Sequence, residues 1–182
     1  MEFQSLNKLF LDRAEENSNN PFLWSKISKE WKSLTWNETL EKVKEFSSGL
    51  KSHGIKPGDR IVIVSENRPE WIIADLAITL LGGTTVPAYT TNTEDDHHYI
   101  LEHSGAKAVI ISNNILGNRL ALATTRTKDC KLLITIDNYN GFEPEDLNIL
   151  NFEEVCIFGK NTIESSLDYL DKIKPDDTSC II

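Results

Sequence analysis

Ile61-Val62-Ile63-Val64 and Val109-Ile110-Ile111 are runs with no polar position among their apolar ones. Such runs suit strands covered on both faces, which is the environment of a parallel sheet. Segments of helical periodicity lie between and around them. Thr35-Trp36-Asn37-Glu38 is a capping box, in which a hydroxyl and a Glu three residues on satisfy each other's free amides. Leu40, Val43, Phe46 and Leu50 follow on one helical face. Gly54 and Pro57 stop that helix near His53. The unit then repeats. Asn67 with Glu70 caps a helix through about Leu81, with Pro69 harmless in its first turn and Gly82-Gly83 closing it. Thr84 to Pro87 is the next strand. Thr93 caps a helix ending near Ser104 with Gly105 as its exit. Asn113 or Asn114 opens one running to about Thr127, and Leu132 to Ile136 is a fourth strand.

This alternation, with short links, predicts right-handed crossovers and an α/β fold: a mainly parallel sheet with flanking helices. The βαβ repeats span 35–136. Ahead of them, residues 5–16 read as an amphipathic helix, and a small hairpin is expected near 22–34. Its turn, Ser28-Lys29, lacks the usual Gly or Asn. The stretch 138–166 reads as irregular, a mixture of loop and short helix interrupted by Pro144, Asn148, Asn151 and Gly159. Ser179 to Ile182 reads as the start of a buried strand that is cut short.

Composition narrows the function classes. The 182 residues fit one domain. A net charge of −9, from 19 Lys and Arg against 28 Asp and Glu, argues against an electrostatic nucleic-acid binder, and the sequence has no polybasic run for anionic lipid either. Three widely spaced cysteines form neither a disulfide framework nor a zinc spacing and suit a reducing, cytoplasmic setting. The start Met1-Glu2-Phe3-Gln4 is unlike a signal peptide. The most apolar stretch, Trp71 to Gly83, is too short to span a bilayer, which leaves a peripheral membrane contact open.

The usual phosphate-binding and nucleophile motifs, GxxxxGK[ST], GxGxxG and GxSxG, are absent. His97, His98 and His103 do not share a helical face at ligand spacing, so no metal site is expected. Glu94-Asp95-Asp96 reads as an acidic first turn complementing a helix dipole. Two places remain as candidate sites. Arg68 stands beside a helix N-terminus, where it either binds an anion or belongs to ordinary helix-start chemistry. Tyr89-Thr90-Thr91-Asn92 follows a strand at its carboxyl end, where open α/β sheets place ligands, although such loops are also plain connections.

Taken in order, Ser33-Leu34-Thr35-Trp36, Gly58-Asp59-Arg60-Ile61, Glu66-Asn67-Arg68-Pro69-Glu70-Trp71, Ala74-Asp75-Leu76-Ala77 and Val86-Pro87-Ala88-Tyr89-Thr90 resemble the adenylate-forming acyl-CoA synthetases, the AMP-binding family. Thr91-Asn92-Thr93 and Pro175 to Ile182 are most similar to its long-chain fatty acyl-CoA branch. The resemblance implies that 1–182 is the N-terminal part of the AMP-binding domain of a longer enzyme, the first subdomain of its large N-terminal domain. The implied reaction has two steps. A fatty acid carboxylate attacks ATP to give acyl-adenylate and pyrophosphate, and coenzyme A then displaces AMP. ATP, Mg²⁺ and coenzyme A are implied for the intact enzyme, with none held tightly by this chain. The residues that the family uses for ATP and the adenylation lysine would lie beyond Ile182, so no catalytic residue is expected here and the isolated chain is expected to be inactive. Arg68, Tyr89, Thr90, Thr91 and Asn92 are the expected wall of a substrate or coenzyme A channel. The implied partners are the remainder of the synthetase chain and a fatty acid, with a homodimer left open. Two other readings stand beside this one: a non-catalytic regulatory or dimerisation module of the same fold, and an unrelated flavodoxin-like binding module.

Overall fold

A computed structural model describes residues 5–162 and 167–182. Met1–Gln4 and the last residues of the 138–166 stretch, 163–166, lie outside the described residues. The chain opens with α1 (Leu6–Glu16), whose first turn is capped by the Ser5 hydroxyl accepting from the Lys8 amide. β1 (Pro21–Ile27) and β2 (Glu30–Thr35) form an antiparallel hairpin. Ser28 and Lys29 join them with φ of 51° and 72°. That is the positive-φ pair of a type I′ turn, made without the Gly or Asn that normally relieves it.

Next come α2 (Trp36–Ser52), β3 (Arg60–Val64), α3 (Pro69–Leu80), β4 (Thr84–Pro87) and α4 (Glu94–Ser104). β5 (Ala108–Ile111), α5 (Asn114–Thr125), β6 (Leu132–Thr135), β7 (Asn148–Asn151) and α6 (Phe152–Lys160) follow, then a 3-10 turn at Leu170–Lys172. Reciprocal capping boxes start α2 at Thr35 with Glu38 and α4 at Thr93 with Asp96.

β3 to β7 make a five-stranded sheet, parallel throughout, in the order β4-β3-β5-β6-β7. Alternate strand residues feed two cores, as the pleat requires. Ile61, Ile63, Ala108, Ile110, Leu132 and Ile134 join a cluster with Phe46 and Leu50 of α2, Ile73 and Ala77 of α3, and Phe152 and Val155 of α6. Val62, Val64, Val109, Ile111 and Leu133 join Leu101 of α4 and Leu116 and Leu120 of α5 on the opposite face. Covering both faces is what keeps Ile61–Val64 and Val109–Ile111 free of polar positions. At the α2–α6 crossing, Gly49 and Gly159 let the two backbones nearly touch, and the Phe46 and Phe152 rings stack 4.1 Å apart beside them.

Three expectations are corrected. The cap of α3 is Arg68, not Asn67, and its side chain makes no capping bond. Pro69 forces its predecessor out of the helical region, so Arg68 is extended at φ −154° and the helix starts one residue later than a cap at Asn67 would set it. The stretch read as irregular contains a strand as well as a helix. Asn148–Asn151 pairs with β6, and Asn151 caps α6 through a box with Glu154. As an edge strand it needs only Ile149 and Leu150 to be apolar, too short a run to stand out from the sequence. At the C-terminal end, the Thr85 amide donates to Ser179 and the Ile181 amide donates to Thr85, giving a parallel bridge on the outer edge of β4. The segment is exposed rather than buried.

Candidate functional site

In a sheet of this order, the chain leaves β3 towards one edge and leaves β5 towards the other. The crevice between their carboxyl ends is therefore the topological switch point, where open α/β sheets bind ligands. Four loops meet there: 65–68 after β3, 88–93 after β4, 112–113 after β5, and the start of the connection after β6.

The polar groups of three of these loops are spent on one another. Asn113 Nδ2 donates to Glu66 Oε1 at 3.1 Å, while Asn113 Oδ1 accepts from the Ile115 and Leu116 amides and so caps α5. The Ser112 hydroxyl foremost, with Arg68 and Asn113 adding to it, holds the Glu66 carboxyl below its ordinary range against a partial cost of burial. Arg68 Nε donates to Glu70 Oε2 at 2.8 Å, and a terminal nitrogen donates to Asp137 Oδ1 at 3.0 Å. Burial opposes the guanidinium charge, but Glu70 and Asp137 outweigh it and hold the pKa above its ordinary value. The Asp137 amide also donates to the Ser112 carbonyl at 3.0 Å, tying the β6 loop to the β5 loop.

The fourth loop is different. Tyr89 is 79% exposed, Thr91 is exposed as well, and Thr90 and Asn92 are half-buried. The Asn92 amide turns back to the Tyr89 carbonyl at 3.2 Å, and Arg119 of α5 approaches the Thr90 and Asn92 carbonyls at 3.4 Å each. The structure thus sets Tyr89, Thr90, Thr91 and Asn92 together at the end of β4 and Arg68 at the end of the adjacent β3. No hydrogen bond or ion pair joins Arg68 to that loop among the described residues.

This donor set does not fit a triphosphate or a divalent cation. Arg68 is neutralised by two carboxylates, and Glu66 faces the same crevice with its charge favoured. Among the described residues no group of three or more His, Cys, Asp or Glu is placed to hold a metal ion. His97 is fully buried between α4 and its surroundings, while His103 stacks on Tyr99 with ring centres 5.2 Å apart. The residues that sequence reasoning missed as site formers are Ser112, Asn113 and Asp137. Their one signal is position, immediately after an apolar strand. No helix is long and apolar enough to cross a membrane among the described residues.

A three-layer fold with its crevice at this switch point defines the class: an α/β domain built to present loops at one end of a parallel sheet. Within that class, the family model described as AMP-binding enzyme matches residues 10–182, and the chain belongs to that family. It is 38% identical over 76 residues to the long-chain-fatty-acid–CoA ligase FadD15 of Mycobacterium tuberculosis, a match covering 42% of this chain and 13% of that protein. It is 23% identical to the peroxisomal long chain acyl-CoA synthetase 7 of Arabidopsis thaliana, over 99% of this chain and 26% of that one. Among solved structures, coronafacic acid ligase from Pectobacterium brasiliense superposes with a TM-score of 0.72 at 22% identity, over 83% of this chain and 29% of that chain. The chain therefore spans less than a third of the length of these relatives.

Proposed function

We propose that this chain is the N-terminal part of an ATP-dependent long-chain fatty acid–CoA ligase. The intact protein would convert fatty acid, ATP and coenzyme A to acyl-CoA, AMP and pyrophosphate, with Mg²⁺. In this reading 1–182 is scaffold and wall, and contributes no catalytic residue. The observation that carries it is a pairing of two facts. The family match runs over nearly the whole chain, while the charges at the carboxyl end of its sheet are spent on internal contacts. Two of the relatives bear long-chain ligase names, which favours that branch.

Within the wall, Tyr89 with Thr90, Thr91 and Asn92 supplies the exposed face, and Arg68 pins the loop after β3 to the loop after β6. The exposed Tyr89 ring offers apolar area with a polar tip, a suitable lining for an acyl chain or the pantetheine arm of coenzyme A. The remainder of the synthetase chain is the partner this reading requires. The intact enzyme is placed in the cytoplasm.

The test is acyl-CoA synthesis from a long-chain fatty acid, ATP and coenzyme A, followed with pyrophosphate release. The intact natural protein is expected to turn over and the isolated 182-residue chain is expected not to. Acyl-CoA formation by the isolated chain, free of contaminating ligase, would overturn the scaffold reading. In the intact protein Tyr89→Ala should raise KM for fatty acid or coenzyme A with kcat largely kept, because a wall residue supplies uniform binding.

A further inference from the structure

The β1–β2 hairpin carries a surface that the ligase reading does not use. Its base is docked: Leu23 pairs with Leu34, and both pack on the core with Phe22 and Trp36. Its outer half is open, with every residue from Lys26 to Lys32 exposed. The three outer rungs extend it by about 10 Å.

Three large apolar side chains stand out on this arm. Trp24 is 55% exposed, Ile27 51% and Trp31 64%. Trp31 lies directly opposite Lys26, and Trp24 lies opposite Ser33. The two indoles are therefore diagonal neighbours on one face, with Lys26 beside them. Lys29 sits at the tip, and Ile27 and Lys32 lie on the reverse face, opposite Glu30 and Ser25. Among the described residues none of these three lysines is in an ion pair, whereas Lys8, Lys42, Lys44, Lys51 and Lys107 each are. Glu30 is the only acidic residue of the hairpin, so the arm is cationic in a chain of net charge −9.

The chemistry selects the partner. Protein–protein interfaces favour Trp but are depleted in Lys. Tryptophan interleaved with lysine belongs to the interfacial layer of a bilayer, where indoles sit at headgroup depth and ammonium groups meet anionic headgroups. The arm's reach also fits. About 10 Å exceeds the Debye length of about 8 Å at physiological salt, so the acidic body is screened from the surface its tip touches.

We propose that the β1–β2 hairpin is a membrane contact that enters tip first, with Trp24 and Trp31 on one face and Ile27 on the other seated in the interfacial layer of an anionic lipid surface, and Lys26, Lys29 and Lys32 facing its headgroups. This does not rest on the ligase reading, since its readout is lipid partition and not turnover.

The experiment sediments the intact natural protein with phosphatidylcholine vesicles, with and without phosphatidylserine. Binding is expected only with phosphatidylserine and should weaken as salt rises. Trp24→Thr with Trp31→Thr, which keeps strand propensity, should lower partition on the order of tenfold. Replacing Lys26, Lys29 and Lys32 by Gln should cost about fivefold per lysine and remove the preference for phosphatidylserine. The denaturation midpoint of each variant checks that the fold is kept. No binding by the natural protein to anionic vesicles would overturn the proposal. So would binding unchanged in both variants, or a tryptophan variant whose only effect is on self-association.

Discussion

Alanine at Gly159 puts two known effects in opposition, and the structure says which prevails. A Cβ added there would lie 1.8 Å from the Glu45 carbonyl oxygen and 2.5 Å from the Gly49 amide nitrogen. At Gly49 it would lie 2.1 Å from the Val155 carbonyl oxygen and 2.7 Å from Val155 Cγ1. Carbon and oxygen in contact need about 3.3 Å, so α6 must retreat from α2 by about 1.5 Å. The obstacle is backbone, which cannot swing aside. Overpacking of this kind costs about 1–3 kcal/mol. Retreat also loosens the Phe46–Phe152 stack, where an aromatic pair contributes about 0.5–1.5 kcal/mol beyond its buried area. Against this, Gly to Ala inside a helix gains about 1 kcal/mol of propensity.

The expected net result for Gly159→Ala is a loss of about 1–3 kcal/mol, a fall in Tm of about 3–9 °C for a chain this size. Urea denaturation followed by fluorescence measures it. Gly49→Ala should behave alike, and the double variant should lose less than the two singles together, because one retreat makes room for both methyl groups. Gly117→Ala is the internal comparison. Its methyl would meet the Tyr139 ring at 2.5 Å, a side chain that can move, so its loss should be smaller. A Gly159→Ala protein as stable as the natural one, or more so, would refute the close backbone crossing and leave propensity as the governing effect.

Other outcomes follow from single groups. Burial pushes the Cys130 and Cys156 thiols up to about 12, while Cys180 is exposed, so iodoacetamide near neutral pH should label Cys180 first by mass spectrometry and the other two only on unfolding. Lys29→Gly should stabilise the chain by about 1 kcal/mol in urea denaturation, since glycine holds φ of 72° without strain. Burial, helped by Arg119 and opposed by Asp96, lowers the His97 pKa below its ordinary value, and neither ring nitrogen has a hydrogen-bond partner among the described residues. The unfolded chain therefore binds the proton more readily, and His97 stabilises the fold above pH 6.5 and withdraws that support as pH falls below it. Denaturation midpoints from pH 7.5 to pH 5 should fall less steeply in His97→Gln.

What was legible from the residues, and what was not, divides along the two cores. Ile61 to Val64 and Val109 to Ile111 are apolar because Ile61, Ile63 and Ile110 face α2 and α3 while Val62, Val64, Val109 and Ile111 face α4 and α5. Burial on both faces leaves an unbroken signal. β7 lies at the sheet edge between two asparagines and has no such run. Asn151 also does double duty, ending β7 and capping α6, which makes it look like a break in the chain rather than a junction. Asn67, a strong capping type, predicts the start of α3 one residue early, and the constraint Pro69 places on Arg68 overrides that preference. At the candidate site, Arg68 and the 89–92 loop could be singled out by position. That Arg68 is already paired could not, since Asp137 is far along the chain and reaches it only through the β3-β5-β6 neighbourhood.

That pairing bears on how much function the sheet itself confers. Counting β3 as the first strand, the order is second-first-third-fourth-fifth, the order of flavodoxin-like sheets, so topology alone points towards a domain with a phosphate group at the β3–β5 crevice. The side chains there point elsewhere. A phosphate brought to the loop after β3 would meet Glu66, whose charge is favoured by Ser112, Asn113 and Arg68, and a guanidinium already held by Glu70 and Asp137. Releasing Arg68 to an anion would leave two carboxylates unpaired near the incoming charge. The same contacts that disfavour an anion hold the loops after β3, β5 and β6 in fixed relation. What the fold supplies at this end is a stiff frame beside the open loop that presents Tyr89. The proposed ligase reading uses that frame as one wall of a channel and takes its charged chemistry from other residues of the intact protein.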